Sequence, residues 1–362
     1  MTARLTGRLT AEVLEVPDDP TALYELSLEG GWGDGVPVLP PTDDRVEALL
    51  AATPLDPSVV IGVLPPRNGV ATVELAAINA ALAGCVPEAF PLVVAAIEAM
   101  VVPEFNAFAL TTTTSSVFPM LIVNGPGRDE LQIDYRAGCL GGAAGRGSMT
   151  VGRAVSLCLR NIGGQRAGDT SRTVFGQPAR FGLCFGEWEE RSPWPSLAQR
   201  RGFDPGADVV TVHGGKGTFP MADVNIDDAG ELVRMLAKCI AFPLNNWYLE
   251  PTGESGQLVL AINPMWAERF GRRFPEIESL QLHLFDHAWQ PIELWPEANR
   301  EILRSKGRVD PDGKVRLVSR PDQLVPVVCG GLGSLHAVAL TSFCESEMQS
   351  VAVQRPPAAI GP

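Results

Sequence analysis

Two glycine-rich stretches carry the residues best suited to chemistry. The first runs Gly138-Cys139-Leu140-Gly141-Gly142-Ala143-Ala144-Gly145-Arg146-Gly147-Ser148 and leads directly into a helix expected over Met149–Asn161. Glycines let a backbone approach a ligand closely, and the free N–H groups at a helix start attract anions. Gly141, Gly142 and Ser148 would line such a cradle, and Arg146 and Arg153 would clamp a carboxylate or phosphate. No Gly-Lys-Ser/Thr follows, so this is not a nucleoside-triphosphate loop. No strand–turn–helix unit with a suitably placed acid makes it a dinucleotide fingerprint either. Cys139 lies inside the stretch. A helix N-terminus and two arginines would favour its thiolate, while the plainer alternative is a small residue packed under the loop.

The second stretch, Cys329-Gly330-Gly331-Leu332-Gly333-Ser334-Leu335-His336, follows an apolar run that reads as a strand. Gly330, Gly331 and Ser334 would bind substrate, and His336 would move a proton. Ser334 and His336 share a face only if the segment is extended, and nucleophilic catalysis would further need their contact and an orienting acid. The alternative is a structural histidine. Glu187 and Glu189, in Cys184-Phe185-Gly186-Glu187-Trp188-Glu189-Glu190, offer a general base or a metal ligand, against the reading of a solvated acidic turn. His283 and His287 stand at i and i+4 beside Asp286, a spacing zinc accepts. No third ligand is adjacent, and an exposed amphipathic helix explains them better. Thr111–Ser116 places hydroxyl residues ahead of a strand, where they line a polar pocket or an edge.

These residues need a frame, and the apolar pattern supplies one. Helices are expected at Asp43–Ala52, Thr72–Ala83, Pro87–Met100, Met149–Asn161, Asp227–Ala241, Pro275–Ala288 and Pro296–Arg304. Strands are expected at Val59–Leu64, Met120–Val123, Arg180–Glu187, Val209–His213, Leu258–Ile262 and Leu324–Cys329, with a turn at Gly214-Gly215-Lys216-Gly217. Short, continuously apolar strands alternating with helices predict an α/β fold, with layered mixed or mostly parallel sheets and flanking helices. The pieces AINAALAGCVPEAFP…MLIVNGP and LVRMLAKCIAFPLNN…LVLAINP match loosely. Each is an apolar helix, a cysteine, and a strand ending in Asn before a proline turn. They suggest two pseudo-repeated halves, residues 1–205 and 206–362, each with one glycine-rich loop.

Composition narrows the partners. The formal charge is −13, from 42 acidic and 29 basic residues, which opposes nucleic-acid or anionic-membrane binding. The most apolar stretch, Leu92–Val102, is too short to span a bilayer. The seven cysteines are widely spaced with no Cys-x-x-Cys, so neither a disulfide framework nor a structural zinc site is expected. The start of the chain shows no apolar signal-peptide core, and a cytoplasmic protein is expected.

Several segments together resemble UGSC-family (seleno)proteins, a bacterial family also labelled thioredoxin-reductase-like. They are GWGDGVPVLPPTDDRVEALL, PPRNGVATVELAAINAALAGCVPEAFP, VFPMLIVNGP, VGRAVSLCLRNIGG and EWEERSPWPSLAQRRGF. The resemblance spans roughly residues 28–205 and returns around VPVVCGGLGSLHAVAL. It implies a Gly-Gly-x-Gly-x-x-His stretch that Gly330, Gly331, Gly333 and His336 match. The chain has no Cys-Gly-Ser-Cys or selenocysteine counterpart, the nearest string being Cys139-Leu140-Gly141-Gly142.

The expectation is an enzyme, a lyase or an oxidoreductase, acting on a small anionic metabolite between the two halves. Its site would join the two glycine loops and the Asn79/Cys85 helix end. Arg146 and Arg153 would hold the anion, His336 or Glu187 would carry the proton, and Cys139 or Cys85 would be the nucleophile. The residues name no cofactor or metal. The alternative is a non-catalytic subunit that binds a partner redox (seleno)protein, and homo-oligomers are compatible with either. Nucleotide binding by a glycine loop is a third reading.

Overall fold

The computed structural model describes residues 9–11, 13–16, 18–141, 145–248, 255–333 and 336–356. The first half opens with helices α1 (Pro20–Glu29) and α2 (Asp43–Ala51), a hairpin of β1 (Val60–Leu64) and β2 (Gly69–Thr72), and α3 (Val73–Ala83). The Thr72 hydroxyl accepts from Leu75 N–H at the start of α3, and Gly84 ends it at φ +85°, a conformation that favours glycine. Next come α4 (Phe90–Met100), α5 (Ala107–Thr112), β3 (Phe118–Asn124), α6 (Gly127–Glu130), α7 (Arg146–Asn161), β4 (Leu183–Gly186) and α8 (Leu197–Arg200).

The second half begins with the long strand β5 (Val209–Ala222), followed by α9 (Ala229–Ile240), β6 (Leu258–Ile262), α10 (Pro264–Arg273) and α11 (Ile277–His287). A small ribbon of β7 (Trp289–Pro291) and β8 (Lys314–Arg316) flanks α12 (Glu297–Ser305). The chain closes with β9 (Leu324–Val328), β10 (His336–Ser342) and β11 (Gln349–Ala352).

The main sheet is mixed, in the order β4-β3-β5-β10-β6-β9, with β11 also on β5. One arrangement occurs twice. Strand β3 runs parallel to β4 and antiparallel to β5; β6 runs parallel to β9 and antiparallel to β10. Helix α7 connects β3 to β4, and α10 and α11 lie between β6 and β9. Asn124 and Asn263 follow the same register in the two halves, since Met120 faces Leu183 and His213 while Val259 faces Val325 and Leu340. The division near residue 205 falls just before β5, which pairs with both β3 and β10, so the halves build one sheet.

Strand alternation sorts the side chains into three cores. Leu121, Val123, Cys184, Val210 and Val212 face α3, α4 and α7. Leu258, Leu260, Ile262, Leu324 and Val328 face α9, α10 and α11. The opposite face joins Met120, Ile122, Leu183 and Phe185 to Val259, Ala261, Val325 and Val327 in one cluster. The sheet curls until its edge strands meet, and Trp188 N–H, just past β4, donates to the Val328 carbonyl of β9 at 2.6 Å.

The turn expected at Gly214–Gly217 is instead the middle of β5. A Cβ at Gly215 would collide with the Met120 sulfur, and one at Gly214 would lie 2.9 Å from Ser346 Oγ. These glycines permit close packing, not chain reversal. The strand expected over Arg180–Glu187 shortens to β4, preceded by a 3-10 turn at Pro178–Phe181. Among the described residues no single helix is long and apolar enough to cross a membrane.

Candidate functional site

The exits of β4 and β9 bring the two glycine stretches together. Gly330 N–H donates to the Tyr135 carbonyl at 2.8 Å, and a Cβ at Gly331 would lie 3.3 Å from Ala137 Cβ. Gly330 has φ +98°, a backbone conformation in which side chains are strained. Beneath this contact Cys139 and Cys329 belong to the same buried cluster of side chains. Both are free and buried. The neighbouring Cys139, burial and the nearby Glu187 all push the Cys329 thiol up, so Cys329 keeps its proton.

Glu187 is buried beside them. Its Oε2 accepts from Asn124 Nδ2 and from Leu197 N–H, both at 2.7 Å, and Arg200 stands 4.0 Å from Oε1. Burial raises its pKa against the pull of Arg200 and the two hydrogen bonds. Such a carboxyl is suited to carrying a proton. Arg128, also buried, ties the site to its surroundings. It donates to the Gly125 carbonyl at 2.6 Å, to the Glu187 carbonyl, and to Glu190 at 2.6 Å.

An open cleft of about 340 Å³ adjoins this junction, lined by Arg128, Asp129, Gln132, Asp134, Tyr135, Arg136 and Arg146 among others. Tyr135 belongs to both: its ring walls the cleft while its carbonyl holds Gly330. The exposed Arg136 stacks over Tyr135 at 4.9 Å and over Trp188 at 5.7 Å, and donates to Tyr135 Oη at 2.7 Å. Gly145 opens α7 against the Asp134 carboxylate, which a Cβ there would strike. The helix start therefore faces the chain's own anion, and the arginines are the cleft's anion-binding groups.

The residues singled out in the sequence divide accordingly. Cys139, Glu187, Gly330 and Gly331 converge. Gly141 sits in the loop above Leu183 with φ +106°. Arg146 borders the cleft and donates to the Gly84 carbonyl from two nitrogens, at 3.2 and 2.9 Å. Arg153 does not complete the expected clamp, because its three nitrogens are committed to Asp34, Val36 O and Pro37 O. Ser148 Oγ accepts from Asp134 N–H at 2.8 Å and is buried. Gly142 and Ser334 lie outside the described residues.

The Asn79/Cys85 helix end belongs to the first core. Asn79 bonds Leu75 O and Asn161. Burial pushes the Cys85 thiol up to about 12, against weaker effects of Thr150 and Arg146. His336 opens β10, exposed, with its carbonyl taking Asn263 Nδ2 at 2.7 Å. It stands across β6 from Cys329, since Ile262 pairs with Ala337 on one side and Val328 on the other. His283 and His287 turn to backbone carbonyls, at Gly230 and His283, and no group of three potential metal ligands occurs among the described residues. The Thr111 and Thr112 hydroxyls bond carbonyls of their own helix.

Sequence reasoning missed Arg128, Tyr135, Arg136 and Trp188. Their roles arise from contacts between distant segments, and only the Trp in the acidic run stood out locally. Comparison of the chain with protein-family models, curated proteins and solved structures finds no match.

Proposed function

We propose that the chain is an enzyme acting on a small anionic metabolite in the cleft beside Tyr135. Arg136 and Arg146 hold the anion, Cys139 supplies the thiol, and Glu187 carries the proton. The observation that carries this reading is the meeting of the two glycine turns over Cys139, Cys329 and Glu187, next to a cleft lined by three arginines. Thiol chemistry is favoured over histidine chemistry because His336 is separated from the thiols by β6. The reaction class remains lyase or oxidoreductase. A cytoplasmic location fits a chain whose seven cysteines are all free.

The test is incubation of the protein with a mixture of small carboxylates and phosphate esters, read by mass spectrometry. Wild type should consume one anionic compound, and Arg136→Ala should raise its KM. Turnover of neutral compounds only, or an unchanged KM in R136A, contradicts the proposal.

A second reading, a non-catalytic subunit for a partner redox protein, draws on Val174 and Phe175, neighbouring apolar residues that are 68% and 79% exposed. It predicts a stable complex that Phe175→Ser abolishes; a partner bound equally well by F175S would remove its support.

A further inference from the structure

Two lysines share one tryptophan ring in the second half of the chain. The Lys238 amine, in the last turn of α9, lies 3.2 Å from the centre of the Trp289 ring and donates to the Trp289 carbonyl at 2.7 Å. Lys314, on β8 of the small ribbon, holds its amine 4.9 Å from the same ring. Arg234 stands one turn earlier on α9. We propose that Lys238 is a nucleophilic amine, acylated by small acyl phosphates in preference to the other three lysines of the chain. This stands apart from the metabolite reading, since none of these residues lines the cleft beside Tyr135.

The cluster explains the choice. Arg234 is held by Glu231 and Lys314 by Asp312, each at 2.6 Å, whereas no carboxylate pairs with Lys238 among the described residues. The indole and the carbonyl favour a charged amine. Lost water and the two neighbouring cations oppose it, and they prevail. Burial pushes the Lys238 pKa down to about 8, with Arg234 and Lys314 adding to the fall. Desolvation and a neighbouring cation are the means by which a lysine becomes a nucleophile. The same contacts fix the amine in place, and the side chain is only half-buried, so a reagent reaches it. The local cations also suit a donor whose leaving group is an anion.

The chemistry balances. The neutral Lys238 nitrogen attacks the carbonyl carbon of the acyl phosphate and forms a C–N bond. The carbon–oxygen bond to phosphate breaks, and phosphate leaves with the electron pair and the amine proton. An amine and an acyl phosphate become an amide and hydrogen phosphate. The amide carries no charge, so the attraction to the indole is lost.

The magnitude follows from the neutral fraction. At pH 8 about half of Lys238 is neutral, against about 0.4% of a lysine titrating near 10.4. A less basic amine is a weaker nucleophile. With a Brønsted slope of about 0.4, as for thiols, that takes back about ninefold and leaves a preference of roughly tenfold. Lys216 is the internal comparison: it lies over the Phe343 ring at 5.2 Å, and among the described residues no second cation shares that ring.

The experiment incubates the folded full chain with acetyl phosphate at pH 8 and follows acetylation of Lys216, Lys238, Lys306 and Lys314 by peptide mass spectrometry. Lys238 should react about tenfold faster than the other three, and its rate should level off above pH 8 while theirs climb through pH 9.5. In denaturant the four rates should converge. Lys314→Met, which removes a repelling cation, should slow Lys238 at least twofold. Equal rates in the folded chain, another lysine leading, a preference that survives denaturant, or a Lys238 rate untouched in a folded K314M overturns the proposal. The wild-type map decides even where the variant fails to fold.

Discussion

Glu187 and Cys329 occupy the same place in the two halves of the sheet. Each is the first residue past a parallel strand, and each donates its N–H to the neighbouring strand, to Val123 O at 3.1 Å and Ile262 O at 3.0 Å. The curl of the sheet brings the two exits together, with Trp188 N–H donating to the Val328 carbonyl at 2.6 Å, so Glu187 lies near enough to bear on the Cys329 thiol. The same parallel pairing, used twice, thereby ends in a carboxyl on one strand and a thiol on the other.

The Glu187 carboxyl should reveal itself in the pH dependence of stability. Its folded pKa is raised above the ordinary 4.5, so the native state binds the proton more tightly than the unfolded chain does. Its contribution is greatest below that ordinary value and is lost as pH rises through the folded pKa. Thermal melts of Glu187→Gln should fall less steeply than wild type above pH 4.5. Parallel curves would show that Glu187 titrates normally.

His213 predicts the opposite slope. Burial pushes it down to about 4, against a weaker upward pull from the Leu340 backbone. The native state therefore binds fewer protons, and stability is lost as pH falls from 6.5 through about 4. Its counterpart in the second half is Leu340, by the shared register with Met120 and Val259. His213→Leu should flatten the acid limb of the melting curve, and an unchanged limb would exclude His213 as its source.

Arg128 should matter more to stability than any surface arginine. It is buried and serves two carbonyls as well as Glu190. Arg128→Met should cost about 2–5 kcal/mol in denaturant unfolding, since the buried Gly125 and Glu187 carbonyls each lose their donor at about 1–3 kcal/mol. A loss below about 1 kcal/mol, the level of an exposed ion pair, would show the network to be dispensable.

The β5 glycines separate packing from turn chemistry. Gly215→Ala should destabilise by about 1–3 kcal/mol, because the new methyl meets Met120. Gly176→Ala, with nothing within 4 Å and no positive φ, should stay within about 0.5 kcal/mol of wild type. Equal effects at the two positions would contradict the role assigned to Gly215.

The local signals in the sequence carried far. The continuous apolar runs at Leu258–Ile262 and Leu324–Val328 are buried strands, and the alanine-rich segment before Gly84 is a helix ending there. The Asn-before-proline pattern marks equivalent strand ends at Asn124 and Asn263. Long-range pairing left no local trace. Arg153 reads as an anion clamp until Asp34, 119 residues away, takes its guanidinium. Cys139 and Cys329 lack the short spacing that announces a thiol pair, and only the curl of the sheet joins them. Gly214 and Gly215 read as a turn because glycine's local meaning is ambiguous between reversal and close approach.

The most direct test of the account is the turnover of anionic metabolites by Cys139→Ala, measured with its melting temperature. The prediction is a fall of about 10⁴-fold or more, the scale of losing a nucleophile, with the melt nearly unchanged. A folded C139A that consumes the same compound at the wild-type rate would contradict it.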